Sequence, residues 1–415
     1  MKTITAIAIL LIPLNSYGLT IEKAVELALK NNPDIKSLNS KLRTSKLTVK
    51  EKKRNRFGKF ILNGGYTHYN IPRTLSPIVP PITPSVVTDK DISNLGVSYT
   101  VTLFSGFSQR EEVKIARIDN KLTGQYTSLT KAQIAYNVRS IFLKILSMKE
   151  NREAVLSYMK ALKTLKKDID TGIQVGKRPE IDQLKVEAEI EKTKSELQTI
   201  NGNLKILKST LAFLLGKEKL DENIEKIEPQ NNNPISPESN NNPRIEIAKL
   251  NLKKSEKTVK KIKSTYLPSI KLSGYYGNNF GGGERETLWQ VGVSFNWLLF
   301  DFGSRKLKVE KAEEGLIISR LNIEKTKLSV AKDLKEALTN IETAKETIKS
   351  AEKEKQLTEK VKKIEKVRYS TGTGTIYDLL TAEAKAVTAQ TKLITAKYSL
   401  LDSIYYLKYV KGEVK

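Results

Sequence analysis

The chain has 415 residues, with 72 Lys and Arg against 46 Asp and Glu, so it carries a formal charge of +26; 28% of its residues are charged and 39% apolar. That balance does not build one thick core: it fits a long, thin body with much surface per residue, or a partly disordered one. With no cysteine and a single histidine, His68, the chain excludes disulfide scaffolds, thiolate metal sites, Cys nucleophiles, a lipid-modified cysteine and His-rich zinc sites, and a Ser-His-Asp triad would have to use a residue in an apparent strand.

Lys2 is followed by an apolar run from Ile4 to Leu14 and then by Ser16-Tyr17-Gly18, which reads as a signal peptide over 1–18 with Leu19 as the mature start. A membrane anchor would need about 20 apolar residues, and Pro13 and Asn15 interrupt this run. No other stretch approaches a transmembrane helix, and an exported chain without cysteine points to a bacterial-type envelope.

A first unit is expected over 19–216. It opens with a helix, then a basic cluster, Lys50, Lys52, Lys53, Arg54, Arg56 and Lys59, placed to meet anionic headgroups or simply to solvate a helix face. Phe60, Leu62 and Tyr66 mark one strand; Leu95, Val97, Tyr99, Val101 and Leu103 alternate with Asn94, Gly96, Ser98, Thr100 and Thr102 in a second. A proline-rich outer loop, 71–91, joins them. Each run is about 10 to 13 residues, against the 9 to 11 of a tilted membrane strand, and Tyr66, Tyr69 and Phe104 near the ends fit an interfacial girdle. An amphipathic strand in a soluble sandwich gives the same alternation.

No proline falls between Pro84 and Pro179, and Ile134, Val138, Ile141, Ile145, Met148, Val155, Met159, Leu162 and Ile169 recur with heptad-like steps. The expectation is a helix from near 105 to near 171, about 70 residues and roughly 100 Å long, projecting as a rod. It turns at Gly176 to Pro179 and returns with Ile190, Leu197, Leu204, Leu211 and Leu214 on its packed side. A polar, proline-broken linker covers 217–241. A second unit, 242–415, repeats the plan: a helix, strands marked by Ile270, Leu272 and Tyr276 and by Trp289, Val291, Val293, Phe295 and Trp297, an outer loop at 278–287, and a long helical hairpin turning at Gly372 to Thr375.

The two units are matched residue by residue. Asn32-Pro33-Asp34-Ile35 corresponds to Asn242-Pro243-Arg244-Ile245, Gly96-Val97-Ser98-Tyr99 to Gly292-Val293-Ser294-Phe295, and Gly176, Asp182, Leu184 and Glu187 to Gly372, Asp378, Leu380 and Glu383. A tandem duplication is expected, with the difference in spacing absorbed by the outer loop. Four membrane strands leave open edges, which lipid does not tolerate. Closed single-chain barrels start at about eight strands, so two copies would supply eight and three would supply twelve.

The run Leu19-Thr20-Ile21-Glu22-Lys23-Ala24-Val25-Glu26-Leu27-Ala28-Leu29-Lys30-Asn31-Asn32-Pro33, the string Leu299-Phe300-Asp301-Phe302-Gly303, and Tyr369-Ser370-Thr371-Gly372-Thr373-Gly374-Thr375-Ile376-Tyr377-Asp378-Leu379-Leu380, in this order and with the duplication, resemble the outer-membrane efflux proteins of the TolC-like type across essentially the whole mature chain. The resemblance implies a mainly α protein with membrane β: a homotrimer with a twelve-stranded transmembrane β-barrel and a long periplasmic α-helical barrel. Such a channel is a passive exit duct of tripartite efflux or type I secretion. It joins a periplasmic adaptor and an inner-membrane transporter and exports drugs, metals or proteins.

The resemblance also points to residues. Adaptor hairpins dock in the family at a Val-Gly-x element, matched by Val175-Gly176-Lys177 and, with Thr371 in the Val place, by Thr371-Gly372-Thr373; both glycines also read as ordinary helix C′ residues. Asp182 and Asp378 lie where similar proteins place a constriction, and turned inward they would form an acidic ring favouring cations. Their positions equally suit first-turn acids, with Thr375 and Asp378 spaced as a capping box. Tyr369 fits a closing tyrosine, but Gly374 stands where the family leads one to expect Arg, leaving Arg178 as the substitute. No catalytic residue, metal or cofactor is expected. The basic charge does not imply nucleic acid, since aromatic-basic stacking motifs are absent. Two other classes compete: a structural envelope coiled coil without a pore, and a carboxylate-based hydrolase, for which no compact domain is evident.

Overall fold

A computed structural model describes residues 18–78, 86–220, 222–227 and 242–413. Nearly all of the expected signal peptide, the tip of the first outer loop and most of the linker lie outside the described residues. In chain order the elements are α1 (Ile21–Asn31), α2 (Pro33–Arg54), β1 (Lys59–Thr74), β2 (Thr88–Ser105), α3 (Ser108–Gln174), α4 (Glu180–Leu214), α5 (Pro243–Lys263), β3 (Ser269–Gly281), β4 (Glu284–Asn296), α6 (Ser304–Ser370) and α7 (Ile376–Lys411). The order helix, hairpin, long helix, return helix thus occurs twice, and α3 and α6 each have 67 residues. No described helix is long and apolar enough to cross a membrane.

The chain divides into two compact units, each drawing on both halves of the sequence. One combines Met1–Ser37, Ser128–Asn242 and Ser329–Lys415; the other combines Leu38–Thr127 and Pro243–Leu328.

The second unit holds the sheet, four antiparallel strands in the order β1-β2-β3-β4. The first hairpin is longer than the alternation predicts, with strands of 16 and 18 residues against 13 and 13 in the second. Pairing resumes past an irregularity after His68, at Arg73 with Asp89 and Thr74 with Thr88. Pro72 is tolerated because it falls in that irregularity, between the His68 and Arg73 pairs, where no donor is paired to β2. The second hairpin closes tightly, with Gly281 opposite Glu284, so most of the expected 278–287 loop is strand.

The regular elements of the first unit are all helices. Its largest core gathers Ala24, Val25 and Ala28 of α1, Val138, Phe142 and Ile145 of α3, Leu211 of α4 and Tyr398 of α7. Most of the expected α3 seam is buried, from Ile134 through Val155 and Leu162 to Ile169. On α4 the expected Leu211 is fully buried and Leu214 packs beside it, but a second buried row, Val186, Thr193 and Ile200, runs alongside the expected Ile190, Leu197 and Leu204, which are half-buried. Thr193 hid that row from the sequence: its hydroxyl is satisfied within the helix by the Glu189 carbonyl at 2.7 Å, so a polar residue sits in a core position at little cost.

The repeated Asn-Pro steps do the same work in both halves. The Asn32 amide donates to the Leu214 carbonyl at 2.9 Å, and the Asn242 amide donates to the Val410 carbonyl at 2.7 Å. Each therefore satisfies an orphan carbonyl in the last turn of a return helix, while Pro33 and Pro243 start the next helix where a missing N–H is harmless.

Candidate functional site

The two helical turns lie in the first unit and pack against each other. Ile169, Val186, Tyr369, Ile376 and Leu379 form a small core there, contributed by α3, α4, α6 and α7. At both turns the chain reverses through a left-handed glycine, Gly176 at φ 68° and Gly372 at φ 82°. The Lys177 N–H reaches the Gly172 carbonyl at 2.7 Å, and the Thr373 N–H the Arg368 carbonyl at 2.9 Å, the six-to-one bond of a Schellman ending. A Cβ on either glycine would meet nothing within 4 Å, so backbone conformation alone requires glycine. Val175, Gly176, Lys177, Thr371, Gly372 and Thr373 are all exposed.

Behind this exposed crest, three of the four expected constriction residues form one clasp. The Tyr369 hydroxyl donates to an Asp182 carboxylate oxygen at 2.9 Å. Arg178 donates to the Tyr369 carbonyl at 2.8 Å and lies over the Tyr369 ring at 4.1 Å. Burial, reinforced by the Asp182 carboxylate and opposed by Arg178, pushes the Tyr369 phenol up to about 12, so it remains a neutral donor at physiological pH. Asp182 is buried, and no side-chain bond caps α4: its carboxylate serves the clasp, not the helix end.

Asp378 is placed differently. Its N–H donates to the Thr375 hydroxyl oxygen at 3.2 Å, and the same hydroxyl donates to its carboxylate at 2.8 Å. That is the capping arrangement, and it separates Asp378 from the buried clasp. Gly374 has a local reason as well: a Cβ there would fall 2.9 Å from the Arg368 side chain and 3.1 Å from the Tyr369 nitrogen. The turn is too tight for an arginine at that position without rearrangement, and Arg178 enters the same neighbourhood from the other turn.

One group was missed by sequence reasoning. Glu383, a turn and a half beyond Asp378, borders a cavity of about 490 Å³ with Arg178, Tyr369 and Lys366. Burial raises its carboxyl above the ordinary range, with Lys362 and Lys366 pulling the other way. In the sequence it stands out only as the counterpart of Glu187 in the repeat.

The sheet of the second unit presents two chemically distinct faces. Cross-strand register lines up Leu62, Val97, Tyr276 and Trp289, then Val101, Leu272 and Val293, then Ile270 and Phe295, on one face. Trp289, Val291, Val293 and Phe295 are 63–69% exposed. The other face carries Asn63, Ser98, Thr100, Ser273, Gln290 and Ser294 at the same levels. At the end where the helices enter, Trp297 donates its indole N–H to the Tyr266 carbonyl at 3.0 Å, and Arg305 is tied to Asp301 and to the Leu298 and Leu299 carbonyls. Most of the large apolar side chains on this face stand exposed among the described residues, which suits lipid. Among the described residues no cluster of acids and histidine has the makings of a metal site.

Comparisons with known proteins agree with this architecture. The family model described as outer membrane efflux protein matches residues 235–412. Nodulation protein T of Rhizobium leguminosarum bv. trifolii is 23% identical over 218 residues, which are 49% of this chain and 46% of that protein; the match thus spans about half the length of that curated relative. Among solved structures, the outer membrane protein VceC of Vibrio cholerae superposes with a TM-score of 0.80 at 16% identity, covering 95% of this chain and 96% of that one. The CmeC outer membrane channel of Campylobacter jejuni gives 0.81 at 19% identity, covering 94% and 85%. The second half of the chain thus carries the outer membrane efflux protein domain, and the described residues follow the fold of these outer-membrane channels.

Proposed function

We propose that this chain is the exit duct of a tripartite efflux or type I secretion system, a homotrimer in the bacterial outer membrane whose helices extend into the periplasm. One observation carries the reading: a four-stranded sheet with both edges unpaired and an apolar face open along its length. Unpaired strand edges are not tolerated in hydrocarbon. Closure of β4 of one copy onto β1 of the next satisfies them, and three copies give a barrel of twelve strands. A second feature points the same way. On α6, Leu321 and Leu328, then Leu357, Val361 and Ile364, stand exposed at heptad spacing, a seam left uncovered among the described residues.

In this reading the duct is passive and carries out no catalysis, and energy comes from an inner-membrane transporter. The exposed crest Val175-Gly176-Lys177 and Thr371-Gly372-Thr373 receives the hairpin of a periplasmic adaptor. The Arg178–Tyr369–Asp182 clasp holds the two turns of one subunit together and acts as the periplasmic gate, with Asp378 as a cap at its edge. The full chain purified in detergent is expected to be a trimer by native mass spectrometry and to conduct in planar bilayers. A water-soluble, non-conducting monomer would overturn the reading in favour of a structural envelope protein. Photocrosslinking from position 177 in cells is expected to capture a periplasmic adaptor.

A further inference from the structure

The polar face of the sheet is almost free of charge, and the exceptions are ordered. Counting levels from the end where the helices enter, Lys271 stands beside Thr102 and Ser294, and Lys59 one level further in, beside Thr100 and Ser273. The next two levels carry Ile61, Ser98, Tyr275 and Gln290, then Asn63, Gly96, Gly277 and Leu288, all uncharged. Only at the level of Gly65, Asn94 and Asn279 does an acid appear, Glu286, followed one level on by Glu284 opposite Gly281. Lys59 and Lys271 are exposed and form none of the ion pairs found among the described residues. Two exposed lysines thus stand on adjacent levels, with two uncharged levels between them and the first acid.

From this register we infer that Lys59 and Lys271 form a basic collar at the helix-proximal mouth of the strand-lined channel, selecting anionic cargo. The inference rests on the duct reading, which makes the polar face the lumen, and it names the charge class of what passes. In a closed barrel each copy contributes both lysines, so the positive groups face one another across water bounded by low-dielectric walls, where a ring of like charges concentrates counter-ions. The Glu286 level lies six residues along the strand from Lys59, about 20 Å. That is more than two Debye lengths at physiological salt, which is about 8 Å each, so the acid does not neutralise the collar. Solutes leaving the helices therefore meet a positive field first, which favours organic anions and acidic molecules over cations.

The test is the reversal potential of the full-length protein in planar bilayers across a potassium chloride gradient. The wild type is expected to prefer chloride, with the preference shrinking as salt rises from 0.1 to 1 M by roughly the loss of Debye screening length from 10 to 3 Å. Lys59→Gln with Lys271→Gln is expected to lower the chloride-to-potassium permeability ratio by about two- to fivefold, and Lys59→Glu with Lys271→Glu to bring it below one and so reverse the sign of the reversal potential; each single Gln variant serves if the double one inserts poorly. Conducting variants with an unmoved reversal potential would overturn the collar while leaving the duct intact. A wild-type chain that forms trimers but never conducts would overturn the duct reading, and the collar with it.

Discussion

Tyr369 joins three chemistries in one side chain: a ring packed in the core of the turns, a hydroxyl given to Asp182, and a face offered to Arg178. Removing the hydroxyl in Tyr369→Phe leaves a buried carboxylate short of a donor, at a cost of about 1–3 kcal/mol. Arg178→Ala removes the cation–π contact and the bond to the Tyr369 carbonyl, at a similar cost. Because the three groups touch, the double variant is expected to cost less than the sum of the singles, read as hydrogen exchange at 365–380, and each variant is expected to raise bilayer conductance. The pH dependence follows from the raised phenol. Its folded value of about 12 exceeds the ordinary 10.0, so its contribution is complete below pH 10 and lost as pH climbs from 10 towards 12. Protection at the turns, the intrinsic base-catalysed rate relative to the observed exchange rate, is expected to stay flat from neutral pH to about 10 and then to fall. In Tyr369→Phe this fall above about pH 10 disappears; its persistence there would mean that another group controls the turns.

At the level of the elements, what the sequence showed depended on whether a position's partner was local. The long helices were legible from the absence of proline and from heptad spacing, and α3 runs from Ser108 to Gln174, within three residues of the expected ends. Both glycine turns were legible because a left-handed residue after a helix is a local requirement. The α4 seam was legible in part: Leu211 is buried and Ile190, Leu204 and Leu214 pack against the cores, but the row through Thr193 was hidden, because Thr193 satisfies itself within the helix and then fills a core position. The first hairpin was read too short, since its outer pairs, Arg73 with Asp89 and Thr74 with Thr88, lack the alternation of the inner ones. The Asn-Pro steps were seen only as a repeat; their role needed the carbonyls of Leu214 and Val410, each more than 160 residues away. Asn32→Ala and Asn242→Ala are each expected to destabilise the first unit by about 1–3 kcal/mol, by stranding a helix-terminal carbonyl. Chemical denaturation of the detergent-solubilised protein should show comparable losses. A silent Asn242→Ala would mean that water replaces the amide.

For the molecule as a whole, the lack of cysteine makes assembly easy to probe, because any introduced thiol is unique. Asn63→Cys on β1 combined with Gln290→Cys on β4 places thiols on the two edge strands of each copy. A short bis-maleimide is expected to give a denaturant-resistant ladder ending at the trimer; crosslinks confined to single chains would exclude closure between copies. Val293→Arg on the exposed apolar face is expected to cost roughly 2–4 kcal/mol per copy near the bilayer midplane and to block membrane insertion, while Ser294→Arg on the polar face of the same strand inserts normally. Equal behaviour of the two variants would mean that neither face meets lipid.

The sequence by itself determined the inventory of elements, the two chemically opposed faces of each strand, the turns and the repeat, because these follow from the periodicity of one segment and the conformational limits of glycine and proline. Only the tertiary structure decided that β2 of the first half pairs with β3 of the second, that Asp182 is drawn into a clasp while Asp378 caps a helix, and that Arg178 reaches Tyr369 across 191 residues. It also set Lys59 and Lys271 on adjacent levels of one wall. The reason is the same in each case: a side chain's partner is chosen by which distant segment packs beside it, and strand register and helix rotation are fixed by whole faces closing together rather than by the residues on either side.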